Sequence, residues 1–339
     1  MRACNLRSAR AGGFTLVEVL VALALITGLT LMTFSALAPW LNLRQKVETE
    51  RRLEQVKEAL ELAYRTNAMT AESRSDAVLQ VSVAGTTYVI QSNAPGSNGI
   101  CLLNETAAAA LAMYFSDDPK RSLTDGASNP LCIYISRQLS QNREGVTLFY
   151  RVIAIVAPGN DGVVNAGTTF DVNTGRLTIG ATSDDLGVIV NGFATQYDLF
   201  QETRRRIERV AEVYGSYFTA RYLSNPARDY VVDYFVAGPF PYDAAATGGP
   251  IGTGGQWLPV SSALANLGLG PEEKTSAYES SNAIEVANQA LSSALLVNGV
   301  QVQEPNSKAV ALPPYTALLR ARLPGPAGNY LLRVVPGNY

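Results

Sequence analysis

The sequence predicts an α+β fold in which one long N-terminal helix packs on an antiparallel β-sheet. Three observations carry that reading. Val19–Leu43 is a 25-residue run without a charge, and an amphipathic run continues from it to Tyr64. Short β-branched and aromatic runs then recur between turn residues, from Val78 to Val190. The amphipathic segment also returns 154 residues later, at 202–218, and strand-like runs follow it again.

The chain opens on a basic leader, residues 1–13, with Arg2, Arg7 and Arg10 and no acid. Residues 14–43 read as a helix long enough to span a bilayer, with Arg44 and Lys46 just beyond it. A secretory signal peptide would end its apolar run in small residues before a cut site. Here Gly12-Gly13 precede that run, and a carboxylate, Glu18, sits inside it. An acid near the start of a spanning helix costs a few kcal/mol and calls for a partner. Thr27, Gly28, Thr30, Thr33 and Ser35 let neighbouring helices approach closely. Pro39 removes a backbone donor and predicts a kink.

The run Gly13-Phe14-Thr15-Leu16-Val17-Glu18 resembles the processing motif of type IV prepilins and type II secretion pseudopilins. The resemblance implies cleavage after Gly13 by a prepilin peptidase and methylation of the new N-terminal residue, Phe14. It implies that Glu18 pairs with the terminal amine of a neighbouring subunit, which would supply the missing cation. It further implies an inner-membrane, single-pass protein with its globular part in the periplasm. Other pilin subunits and an inner-membrane assembly platform would then carry it into a pilus or pseudopilus at the cell surface.

Beyond Pro39, Val47, Leu53, Val56, Leu60 and Tyr64 form an apolar stripe against a charged remainder, the pattern of a helix lying on a globular domain. Segments 48–64 and 202–218 agree at 7 of 17 positions, including Glu48/Glu202, Thr49/Thr203 and Arg52/Arg206. Two charged amphipathic helices can look alike by composition alone; a true repeat implies a second pilin-like α+β lobe without a membrane half. The predicted organisation is a leader at 1–13, an assembly helix at 14–43, a first domain at 44–198 and a second at 199–339.

Strands are predicted at 78–83 and 86–90, turning at Gly85, then at 132–135, 146–156, 176–180 and 186–190, with a short Ala-rich helix near 105–115. In the second half a strand is predicted at 229–236 and a Gly/Pro-rich loop with Phe240, Tyr242 and Trp257 at 237–259. A helix near 272–296 and a hairpin of 315–323 with 330–335 complete it. Tyr214, Tyr217, Phe218 and Tyr222 read as core.

Without the leader, 27 basic residues become 24 against 29 acidic ones, a charge of −5, which offers no footprint for nucleic acid. The chain has no histidine, which excludes Ser-His-Asp and Cys-His catalysis and His-ligated zinc. Nothing in the sequence marks an enzyme. Cys4 falls in the leader, leaving Cys101 and Cys132 as one disulfide or as two buried thiols. No cofactor is expected, with one exception. In some pseudopilins a loop like 157–162 with a following acidic pair binds calcium, and Asp161, Asp184 and Asp185 would be its oxygen ligands. The same residues also serve as strand-end turn formers.

The expected function is a structural, minor subunit of a type IV pilus or related filament. Alternatives are a type II secretion pseudopilin, although Glu18 is usually missing from the large tip member of that system, and a membrane-anchored surface adhesin.

Overall fold

The computed structural model describes residues 16–230, 234–235, 257–265, 267–288, 295–297, 300–302 and 316–339. The side chains at 29, 31–39, 288, 295–297 and 300–302 lie outside that description. The fold is α+β, and the described sheets are antiparallel.

Helix α1 runs unbroken over Leu16–Thr66, 51 residues or about 76 Å. The 3.6-residue period decides which side meets the protein. Leu53, Val56, Leu60 and Tyr64 are buried, whereas Val47, six residues before Leu53, points elsewhere and is 57% exposed. Val47 therefore does not belong to the buried stripe. A short α2 (Ala68–Ala71) and the hairpin β1 (Val78–Val83) and β2 (Thr86–Gln91) follow. Ala84 and Gly85, both at positive φ, make the two-residue turn that right-twisted strands favour.

After α3 (Glu105–Leu111) and α4 (Pro119–Ser122), the apolar run β3 (Cys132–Ile135) begins the central sheet. The predicted strand 146–156 is two strands: β5 (Val146–Tyr150), paired with β4 (Leu139–Arg143), and β6 (Val152–Ala157). Arg151 divides them because its buried guanidinium donates to the carbonyls of Ala71, Ser136, Asp76 and Arg74. The small hairpin β7 (Thr169–Asp171) and β8 (Arg176–Thr178) precedes β9 (Leu186–Asn191), and the central sheet orders β3-β6-β9. Ile133, Ile135, Ile153, Ile155 and Val190 of this sheet pack on the buried face of α1.

Asn191 caps α5 (Gly192–Ser224), accepting from the Phe193 N–H. The helix lays Ile207, Val210, Tyr214 and Phe218 on a second sheet. That sheet orders β10 (Leu258–Pro259), β11 (Glu285–Asn288), β14 (Thr316–Arg322) and β15 (Tyr330–Pro336). α6 (Val260–Ala263) and the hairpin β12 (Leu295–Val297) and β13 (Val300–Val302) lie between these strands.

Among the described residues the predicted helix near 272–296 is not formed. A single 3₁₀ turn at Glu272–Lys274 is followed by β11 and β12. The alternation Ile284-Glu285-Val286-Ala287 suits an inner strand, and β11 pairs with both β10 and β14. The hairpin predicted at 315–323 and 330–335 is β14–β15. Tyr214, Tyr217 and Phe218 are buried in the core and Tyr222 packs against it. Of the predicted strand 229–236, the described Asp229, Tyr230, Tyr234 and Phe235 are not in a strand; of the predicted loop 237–259, residues 237–256 lie outside the described residues and 258–259 form β10.

Candidate assembly site and the loops that hold it

Gly13 and Phe14 lie outside the described residues. Glu18 stands in the first turn of α1, where the helix dipole favours an acid. Around it Leu16, Val17, Val19, Leu20, Val21, Leu23, Leu25 and Ile26 are all about half exposed or more, so this part of the helix presents apolar side chains outward. Thr27 and Thr30 turn their hydroxyls back onto the Leu23 and Ile26 carbonyls, which satisfies them without solvent. Trp40 is 55% exposed, with the Arg44 guanidinium 5.8 Å over its ring. Among the described residues no helix is long and apolar enough to cross a membrane. Residues 29 and 31–39, whose side chains are outside the description, interrupt the uncharged run expected to span.

The globular part grips α1 immediately beyond this segment. Thr49 Oγ1 accepts the Gly126 N–H at 2.9 Å. Arg52 donates to the Thr124 and Asp125 carbonyls and to Thr124 Oγ1, at 3.3, 2.7 and 2.9 Å. Glu48 receives both Arg51 and Arg52, at i+3 and i+4, and these guanidiniums hold its carboxyl down at about 2. A glycine is needed at 126, because a Cβ there would lie 2.2 Å from the Gln45 carbonyl oxygen.

The same grip occurs on α5. Thr203 Oγ1 accepts the Ala277 N–H at 3.0 Å, and Arg206 donates to the Glu272, Thr275 and Ser276 carbonyls. Glu202 takes the place of Glu48, receiving Arg205 and Arg206. The gripped loops match as well. The Asp125 N–H donates to the Asn129 carbonyl and the Ser276 N–H to the Asn282 carbonyl, each at 2.8 Å. Asn129 Nδ2 donates to the Gly159 carbonyl beyond β6, and Asn282 Nδ2 to the Arg322 carbonyl at the end of β14. The repeated Glu, Thr and Arg positions were visible in the sequence; their loop partners, nearly all backbone N–H and carbonyl groups, were not.

The remaining sequence-predicted residues fall in two places. Cys101 and Cys132 meet with Cα atoms 5.6 Å apart, the spacing of a disulfide, in a small core with Tyr134, Ala154, Val156 and Val164. Asp161 and Asp184 accept backbone N–H groups of Val163 and Asn160. Asp185 is buried and accepts from Asn165 N–H and Thr168 Oγ1. Among the described residues no group of three His, Cys, Asp or Glu is arranged to hold a metal ion.

Sequence reasoning missed one polar cluster. Glu72 is buried with Oε2 3.6 Å from Arg151 Nε, and Tyr64 donates its hydroxyl to Glu72 Oε1 at 2.7 Å. Gln196 of α5 reaches the same Tyr64 hydroxyl. Burial pushes the Glu72 carboxyl up to about 7, against the pull of Arg151. No periodicity announces these residues, because their partners come from four separate elements.

Comparison with curated proteins and with solved structures yields no match. Among protein families, residues 8–33 match the one described as the prokaryotic N-terminal methylation motif. That segment holds Gly13, Phe14 and Glu18 and includes the exposed apolar turns of α1 from Leu16 to Ile26. The chain thus carries at its N-terminus the hallmark of type IV pilins and pseudopilins.

Proposed function

We propose that this chain is a structural subunit, a minor one, of a type IV pilus or related filament. A prepilin peptidase cuts it after Gly13 and methylates Phe14, and α1 anchors it in the inner membrane through residues 14–43 before assembly. One observation carries the reading. The methylation motif at 8–33 runs into the start of a 51-residue helix whose first turns hold their apolar side chains outward. A soluble monomer rarely leaves so large an apolar surface bare, and a bilayer or neighbouring α1 helices would cover it. Glu18 would then meet the terminal amine of a neighbour, a pairing that offsets the cost of burying it. The globular part faces the periplasm, where Cys101 and Cys132 would oxidise to one bond.

The mass of the mature N-terminus, with and without the peptidase, tests the class; a chain starting at methylated Phe14 is expected, and one starting beyond Leu43 would overturn it. Glu18→Ala is expected to leave cleavage intact and to reduce incorporation into filaments about tenfold, corresponding to roughly 1.4 kcal/mol. Undiminished incorporation would remove the role assigned to the carboxylate.

A further inference from the structure

The likeness between the α1 and α5 regions goes beyond helix composition. At a constant offset of 154 residues, Leu53, Val56, Leu60 and Tyr64 do for the first core what Ile207, Val210, Tyr214 and Phe218 do for the second. The strands that follow order as β3-β6-β9 and β11-β14-β15, antiparallel in both, with a hairpin, β4–β5 or β12–β13, inserted after the first strand. A glycine ends each set. A Cβ on Gly192, just after β9, would lie 2.6 Å from the Tyr64 ring, and one on Gly337, just after β15, 2.5 Å from the Phe218 ring. Two helices alike only by composition would not share loop hydrogen bonds, strand order and these glycine contacts.

The join between the two regions is itself an interface. The first turns of α5 lie on the β4–β5 hairpin of the region before it. Phe193 packs on Tyr150 with ring centroids 5.3 Å apart, and Tyr197, Gln201 and Arg204 all reach Glu144 at the hairpin tip. Positions 193, 197, 201 and 204 share one helix face. Moved back by 154 residues, that face is Pro39, Leu43, Val47 and Glu50 of α1. Leu43 and Val47 are 61% and 57% exposed, on a stretch of helix already gripped through Thr49 and Arg52.

We infer that the α1 and α5 regions are two copies of one unit joined head to tail, and that Leu43, Val47 and Glu50 receive the β-hairpin of a further pilin-like subunit as α5 receives β4–β5. Charge selects the occupant. Arg204 suits an acidic tip, but Glu50 stands at its place, so the incoming hairpin carries Lys or Arg at its turn. A second copy of this chain does not fit: its β4–β5 tip is the acidic Glu144, already covered by its own α5, and its equivalent β12–β13 segment, Leu295 to Val302, carries no Lys or Arg. The inference rests on the filament reading above and names the partner surface within it.

The test uses the full chain in cells that process and assemble it. Val47→Cys is labelled with a photoreactive benzophenone maleimide, and the peptide it captures is identified by mass spectrometry. The mature N-terminus and co-purification with sheared filaments are recorded on the same sample. The expected capture is a strand-turn-strand peptide of another pilin-like subunit with a basic turn. Its yield should fall about fivefold in Glu50→Lys and hold in Glu50→Asp. Capture only of lipid, of a partner's N-terminal helix or of a second copy, with the chain still in filaments, overturns the docking and leaves the filament reading intact. Absence from filaments, with no methylated Phe14 terminus, overturns both.

Discussion

Around α1 and around α5 a helix is held on an antiparallel sheet by the same few groups: a threonine hydroxyl, a guanidinium and four apolar side chains. What differs is what has been added. At Cys132 the α1 region meets Cys101, whereas at the matching place on β11 Glu285 pairs with Arg320, itself stacked on Trp257 and Tyr330. The α1 region also holds the buried Glu72–Arg151 pair, where α5 carries Phe218 in place of Tyr64. The shared set therefore fixes the architecture, and the additions set how strongly each region is held. Covalent and ionic reinforcement can be removed one region at a time.

The largest effect should come from the cysteines. Joining residues 31 apart restricts the unfolded chain by about 3–4 kcal/mol in the loop-entropy account. Cys101→Ser/Cys132→Ser should lower the urea midpoint of the α1 region and leave amide protection of β14–β15 nearly unchanged. An equal loss of protection in both regions would show that they unfold as one cooperative unit and would break the comparison.

Next come the two arginines. Arg52 is the more enclosed, its side chain 9% exposed against 20% for Arg206. Arg52→Ala strands loop carbonyls with less access to water and should cost about 2–3 kcal/mol, against about 1–2 for Arg206→Ala. Lysine should rescue neither, since one ammonium on a flexible stem cannot reproduce the planar fork that spans several carbonyls. Equal losses, measured by chemical denaturation, would mean that the difference in burial does not matter.

These arginines also show where the sequence was legible and where it stopped. Their repetition with Glu48/Glu202 and Thr49/Thr203 could be read directly, as could the long helix, the β1–β2 hairpin and the closing β14–β15 hairpin. Their purpose could not, because a backbone carbonyl in a loop some 70 residues away has no residue type. Val47 was misplaced by counting apolar residues without strict phase. The 272–296 segment was misread because β11 takes its conformation from the two strands flanking it, a tertiary effect that overrides local preference. Of the candidate site, the place of Glu18 in an apolar first turn of α1 could be read from the sequence, while Arg151 and Glu72 have no local signature at all.

The last predicted effect separates the two regions by pH. The chain has no histidine, and burial brings the titration of Glu72 into the range between pH 5 and 7.5. Its folded value, about 7, lies above the ordinary glutamate value of 4.5. Between those values the folded chain retains a proton that the unfolded chain has lost, so stability is full below pH 4.5 and declines as pH rises towards 7. The decline should be about 2 kcal/mol between pH 5 and 7.5. It should appear as lost amide protection in α2 and β6, whose carbonyls and strand ends surround Arg151, before any loss in β14–β15. Glu72→Gln should flatten the profile across that window while keeping the acceptor for the Tyr64 hydroxyl. A slope unchanged by that substitution would mean the carboxyl is already ionised at pH 5, held so by Arg151, and that the polar cluster adds no pH dependence to the α1 region.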